Sequence, residues 1–153
     1  MSTADATKVT QRTTLDKLYM RQLELLQSHV DLSADLERRM RDGWLHLSKT
    51  RCVVGHSLSS VLQQDERDRE PSVRLTVTTG KLDEPWPHFA VDVNNSGGGG
   101  DEVTKMFGVL SPQCAKQCKQ CFQQATALAL ELATIRAEIT FTASEIQRVH
   151  KML

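Results

Sequence analysis

Residues 111–153, SPQCAKQCKQCFQQATALALELATIRAEITFTASEIQRVHKML, decide the fold. From Cys114, small or apolar residues recur at Cys118, Cys121, Ala125, Leu128, Leu132, Ile135, Ile139, Thr142, Ile146, Val149 and Leu153. The steps alternate between four and three without a break, which is the heptad spacing of a helix that hides one stripe against another helix. No Gly or Pro follows Pro112 to interrupt it. Leu110-Ser111-Pro112 opens the segment with a Ser suited to the N-cap and a Pro suited to the first helical position. At about 1.5 Å per residue, 111–153 predicts a rod of roughly 60 Å.

Outward from this rod, residues 13–51 predict a second one of similar length. Thr13 with Asp16 three residues on resembles a capping box, with Asp in place of Glu. Leu15, Leu18, Gln22, Leu25, His29, Leu32 and Leu36 then repeat the heptad steps. After Leu36 the apolar residues move to Met40, Trp44 and Leu47, a one-place slip expected to relax any supercoil locally. Residues 1–12 are small and polar and read as a disordered tail. Two matched rods in one chain predict an antiparallel coiled-coil hairpin over 13–153, each rod burying the other's stripe. Gln22 and His29 suit a seam in which a polar residue fixes register. His29 reads as a hydrogen-bonded seam residue, with a pH switch or ligand as its functional alternative.

Between the rods, residues 52–105 predict a small β-hairpin insert, so the fold class is mainly α. Val73, Leu75 and Val77 alternate with polar residues as a half-buried strand does, and Phe89, Val91 and Val93 form the matching run. A lone two-stranded ribbon is marginal in water, so it should lean on the rods. Residues 65–70 read as a solvated mixed-charge stretch, and 94–102 as a flexible linker around four consecutive glycines.

Composition narrows the function. The 153 residues carry 19 Lys and Arg against 19 Asp and Glu, so a non-specific nucleic-acid binder, which needs surplus cations, is disfavoured. Aromatics make up only 5 %, which suits thin helical packing better than a thick-cored enzyme. No apolar run reaches the roughly 18–20 residues of a membrane span, and the polar N-terminus lacks a secretory h-region. The expectation is a protein in the cytosol or peripheral on a cytosolic membrane face, without catalytic residues or cofactor. The glycine run 97–100 lacks the following Lys-Ser/Thr of a phosphate loop.

Cys114, Cys118 and Cys121 form the string C-x3-C-x2-C, which matches the iron–sulfur motif of radical S-adenosylmethionine enzymes. On one continuous helix, Cys114 and Cys121 are separated by about 10.5 Å of rise. Two thiolates on one zinc, each bound at about 2.3 Å, sit far closer than that. Three small apolar residues filling a seam is the favoured reading. A metal or cluster site, with Cys52 as a fourth ligand, and a redox sensor are the alternatives. A disulfide framework is not expected without a secretory signal.

Two clusters exceed what the rods need. Trp44 and Leu47 follow Gly43 near the end of the first rod, where a Gly inside a helix suggests close backbone approach. Met106-Phe107-Gly108-Val109-Leu110 leads into the second rod at Pro112. An antiparallel pair should bring Trp44, Leu47, Phe107, Val109 and Leu110 to one head, beside the β-hairpin. They would form a mini-core there, part of which could dock a partner.

Gly43-Trp44-Leu45-x-Leu47-x-Lys49-x-Arg51, followed later by Phe107-Gly108-Val109-Leu110-x-Pro112, resembles the vacuolar proton-ATPase assembly factors of the coiled-coil domain-containing protein 115 family. The order of the motifs and the strands and linker between them also fit. Met106 departs from the pattern, which carries a Trp at that place. The resemblance implies a non-catalytic chaperone for the membrane sector of the V-ATPase. It implies a peripheral place on the cytosolic face of the endoplasmic reticulum and early secretory vesicles, held by a membrane-spanning partner. It further implies contact with proton-translocating subunits and support of lysosomal and endosomal acidification. Trp44, Leu47, Phe107, Gly108, Leu110 and Pro112 are the expected partner-binding residues. Competing expectations are a generic coiled-coil tether or scaffold subunit, in which rods pair between chains, and, more remotely, an iron–sulfur or zinc protein.

Overall fold

The computed structural model describes residues 3–55, 73–78, 84–93 and 111–151. Helix α1 spans Thr3–Val54, strands β1 (Val73–Thr78) and β2 (His88–Val93) form an antiparallel ribbon, and helix α2 spans Gln113–His150. The architecture is mainly helical, two long helices with a two-stranded ribbon between them in sequence, as the heptad pattern predicts. α1 packs along α2, and β2 packs on α2. Arg21 meets Glu138, whereas Gly43, farther along α1, meets Phe122, farther back on α2, so the rods run antiparallel.

α1 is longer than its apolar stripe. It begins at Thr3, ten residues ahead of the expected start at Thr13, so the segment read as a tail is helical from its third residue. Nothing in residues 3–12 breaks a helix, since Gly and Pro are absent there. The capping box at Thr13 is therefore not used. Thr13 and Thr14 instead donate their hydroxyls back to the Thr10 carbonyl at 2.8 and 2.9 Å. α1 ends at Gly55, whose φ of 88° suits a residue without Cβ and whose N–H reaches the Arg51 carbonyl.

α2 starts one residue later than the Ser111–Pro112 reading. Pro112 itself holds the N-cap, with φ −64° and ψ 152°, and its carbonyl accepts the Ala115 N–H at 2.9 Å. Ser111 makes no cap, and no side chain caps this end.

The seam of α2 follows the heptad reading. Cys118, Ala125 and Thr142 are buried, and Leu128, Leu132, Ile135, Ile139, Ile146 and Val149 are half-buried. The seam of α1 holds Leu25 at 4 % exposure, flanked by half-buried Leu18, Gln22, His29, Leu32 and Leu36. The one-place slip after Leu36 does not occur. The register passes over exposed Arg39 and resumes at Gly43, His46 and Thr50, while Met40 and Trp44 of the expected slipped row are exposed and Leu47 is half-buried. The seam there is made of a glycine, a histidine and a threonine, so apolar periodicity follows the neighbouring row instead. Thr50 is fully buried because its hydroxyl is satisfied by the His46 carbonyl at 2.8 Å.

Cross-strand pairs Val73–Val93, Leu75–Val91 and Val77–Phe89 set the ribbon's register. Only β2 meets α2: the Phe89 N–H points at Thr134 Oγ1 (3.4 Å), and Trp86 packs on Phe141 with ring centroids 5.8 Å apart. β1 is the outer strand, so Val73, Leu75 and Val77 are exposed where a half-buried strand is expected. The mixed-charge stretch 65–70 and the linker 94–102 fall outside the described residues.

In an antiparallel heptad pair, residues just before the seam on both helices share one face, and residues just after it share the other. Arg21, Glu138, Thr134 and Phe141 each precede a seam position. Trp44 and Phe122 each follow one. The ribbon and the Arg21–Glu138 pair thus lie on one side of the rod pair, and Trp44 with Phe122 on the other.

Candidate interaction surface

The head centres on Gly43. A Cβ built there would stand 3.0 Å from the Phe122 ring, so the glycine is what lets this ring lie against the α1 backbone. Trp44 then meets the same ring edge-on, at 5.6 Å between centroids and 85° between planes. Trp44 nonetheless keeps 57 % of its surface open, and Leu47 is half-buried. Pro112 is half-buried at the start of α2. Phe107, Gly108 and Leu110, together with Val109, lie outside the described residues. The partner of Trp44 is Phe122, which the sequence reading overlooked although it follows Cys121 as Trp44 follows Gly43.

Among the described residues, Trp44 and Leu47 do not neighbour the ribbon, where the expectation put the head beside it. The ribbon meets α2 at Thr134 and Phe141, 12 and 19 residues beyond Phe122, or roughly 18–28 Å farther along the helix. It also lies on the opposite side of the rod pair. Within the ribbon, Glu84 lies 3.0 Å from His88 Nε2 but off hydrogen-bond direction.

Arg21 supplies the polar link between the rods. Its Nη2 donates to Glu138 Oε1 at 2.6 Å and its Nε to the same oxygen at 3.1 Å. Glu138 is buried and Arg21 is about half open, so the carboxylate is the member that depends on the pair. The Glu138 hydrogen bond holds Arg21 above the usual guanidinium range. Gln22 Oε1 and His46 Nδ1, both in the seam, are shielded and meet no donor. These atoms make the seam costlier than an apolar one and favour a single register.

All three clustered cysteines sit on the first turns of one continuous helix: Cys118 buried, Cys114 and Cys121 half-buried. They line the seam and do not converge. Burial first, and the neighbouring thiols second, push the Cys118 thiol up, away from the reactive thiolate form. Cys52 is exposed on α1. Among the described residues, no three His, Cys, Asp or Glu side chains gather as a metal site.

One surface has no counterpart in the sequence reading. Tyr19, Leu23, Leu26 and Val30 follow the seam residues Leu18, Gln22, Leu25 and His29 by one place, and are 45–62 % exposed. Their steps are four, three and four, so they form a second heptad row on the side of Trp44. That repeat was available in the sequence but was masked by the stronger seam beside it.

No protein-family model matches the chain. Over 143 residues it is 25 % identical to the vacuolar ATPase assembly protein VMA22 of Bos taurus, covering 77 % of this chain and 79 % of that one. The chain is thus similar to a vacuolar ATPase assembly protein along most of its length. The similarity agrees with the resemblance carried by Gly43–Arg51 and Phe107–Pro112. For the first of these motifs the structure supplies a physical reason: Gly43 and Trp44 grip Phe122 from two sides. Among the described residues of the chain, no helix is long and apolar enough to cross a membrane.

Proposed function

We propose that the protein is a non-catalytic assembly chaperone for the membrane sector of the vacuolar proton-ATPase. In this reading it acts on the cytosolic face of the endoplasmic reticulum and early secretory vesicles. A membrane-spanning assembly factor holds it there, and it engages proton-translocating subunits, so that lysosomes and endosomes acidify. The similarity to a vacuolar ATPase assembly protein across more than three quarters of both chains carries the reading. A thin double rod adds support, because its apolar residues go into one seam and its remaining open apolar surface suits protein contact.

The head is the proposed docking patch for the membrane-spanning partner. Trp44 offers a rigid half-open aromatic held in place by Phe122, the kind of anchor that dominates binding energy. Leu47 and Pro112 border it. The chain from 13 to 153 acts as one helical-hairpin unit in this role.

Depletion of the protein tests the function directly. The expected result is loss of assembled membrane sector and a rise in lysosomal pH, restored by the intact chain and poorly restored by Trp44→Ala. Normal acidification in its absence, with no membrane protein recovered alongside it after mild detergent extraction, would refute the proposal.

A further inference from the structure

The open row on α1 is self-complementary. It extends over Val9, Arg12, Asp16, Tyr19, Leu23, Leu26, Val30, Ser33, Glu37 and Met40, each step four or three residues. None of these positions lies in the seam with α2, and its four central side chains are at least 45 % exposed. We propose that this row is a homodimer interface, on which α1 of a second copy of the chain packs antiparallel across a two-fold axis between Leu23 and Leu26.

The pairing rule carries the argument. Antiparallel heptad helices match each inner position of one kind with the other kind, and two-fold symmetry repeats every pair. Centred between Leu23 and Leu26, the row sets Leu23 against Leu26, Tyr19 against Val30 and Val9 against Met40. Apolar meets apolar in all three. The remaining layers set Arg12 against Glu37, opposite in charge, and Asp16 against Ser33, a small uncharged residue whose hydroxyl donates to the His29 carbonyl on its own helix. A displacement by one heptad in either direction destroys the match. One direction puts Tyr19 on Glu37 and Leu23 on Ser33. The other puts Leu26 on Asp16 and Val30 on Arg12. Parallel pairing stacks Arg12, Asp16 and Glu37 each on its own copy, which like-charge repulsion disfavours.

The surroundings admit the second copy. The ribbon touches α2 and not α1, and it lies on the opposite side of the rod pair. Glu37 already accepts from Arg41 on its own helix, leaving its carboxylate able to take Arg12 of the copy as well. From Val9 to Met40 the contact runs roughly 47 Å. The interface residues end at Met40, one step before Trp44 in the same row; dimerisation is read by mass and the V-ATPase role by acidification, so either can fail without the other.

The test is the solution mass of the purified full-length chain, by light scattering or sedimentation equilibrium under reducing conditions. The expected mass is twice the 17.2 kDa chain at concentrations of about 100 μM. Leu23→Glu with Leu26→Glu should give one chain mass, with helix content and melting in dilute solution unchanged, since both side chains are exposed in the single chain. Arg12→Glu should weaken association about tenfold, and Arg12→Glu with Glu37→Arg should restore it. A wild-type mass of one chain at about 100 μM overturns the proposal, including the case in which another protein's helix takes the row in cells. So does a dimer that survives Leu23→Glu with Leu26→Glu, or a charge-swapped double variant no tighter than Arg12→Glu alone.

Discussion

α1 and α2 share a heptad spacing and a common seam, yet they are covered differently. Every Leu, Ile, Val and Phe of α2 is at least partly covered, because α1 lies on one side of it and the ribbon on another. α1 is covered once. Its seam residue Leu25 is 4 % exposed while Leu23, two places earlier, is 62 % exposed. The intrachain fold therefore satisfies α2 and leaves α1 with an apolar row to spare. Stability should concentrate along α2 and the seam, and association along the outer side of α1.

The sharpest way to break that contrast is to truncate one residue from each row of α1. Leu25→Ala should cost about 2–5 kcal/mol, from lost burial and the cavity left between the rods. Leu23→Ala in dilute solution should change stability by no more than about 0.5 kcal/mol. Thermal melts by circular dichroism read both. Equal losses would mean that the two rows are not distinguished by burial.

Gly43→Ala probes the close approach at the head. The new methyl meets the Phe122 ring at 3.0 Å, so crowding of about 1–3 kcal/mol opposes a helix gain of about 1 kcal/mol. The expected sum is a net loss near 1 kcal/mol. In a Phe122→Ala background the crowding vanishes and the same change should stabilise. Chemical denaturation of the four proteins gives the coupling, and a change that stabilises in both backgrounds would remove the ring from Gly43.

Glu138→Gln should cost about 1 kcal/mol, limited by the half-open Arg21 that shares the bond with water. Arg21→Gln should lose at least as much, because it leaves the buried Glu138 carboxylate without its cation. The smallest effect on the rods is expected from Trp86→Ala. Removing the Phe141 contact should release the ribbon, so its amides exchange faster while those of α1 and α2 hold their protection. If α2 around Phe141 loosens too, the ribbon is part of the core and the two-cover description fails.

Much of this contrast was legible in the sequence, and the exceptions have particular causes. The α2 seam could be read residue by residue because small or apolar residues, with Thr142 the one polar member, keep its spacing without a break from Cys114 to Val149. The α1 seam could be read only to Leu36. Beyond it the seam passes through Gly43, His46 and Thr50, none of which an apolar period detects, while Met40 and Trp44 in the adjacent row imitate its continuation. The existence of both strands followed from alternation, but alternation says nothing about which helix a ribbon leans on. That contact, Trp86 with Phe141, spans 55 positions of chain. Trp44 was legible as an unusual residue; its partner Phe122 was not, since half-buried aromatics on a helix flank carry no period of their own. Gln22 is half-buried in the seam, with its Oε1 shielded and unpartnered.

The central structural claim is that α1 and α2 fold back on one another within a single chain. Spin-label distances test it most directly, with the native cysteines replaced and labelled chains diluted into unlabelled ones. Lys49 and Lys116 are on exposed sites near the same end of the rod pair, and Lys17 lies near the other end. A label pair at Lys49 and Lys116 should give a short distance, under about 25 Å, and a pair at Lys17 and Lys116 a long one, about 40 Å or more. A long Lys49–Lys116 distance, or a short Lys17–Lys116 distance, would contradict the antiparallel hairpin.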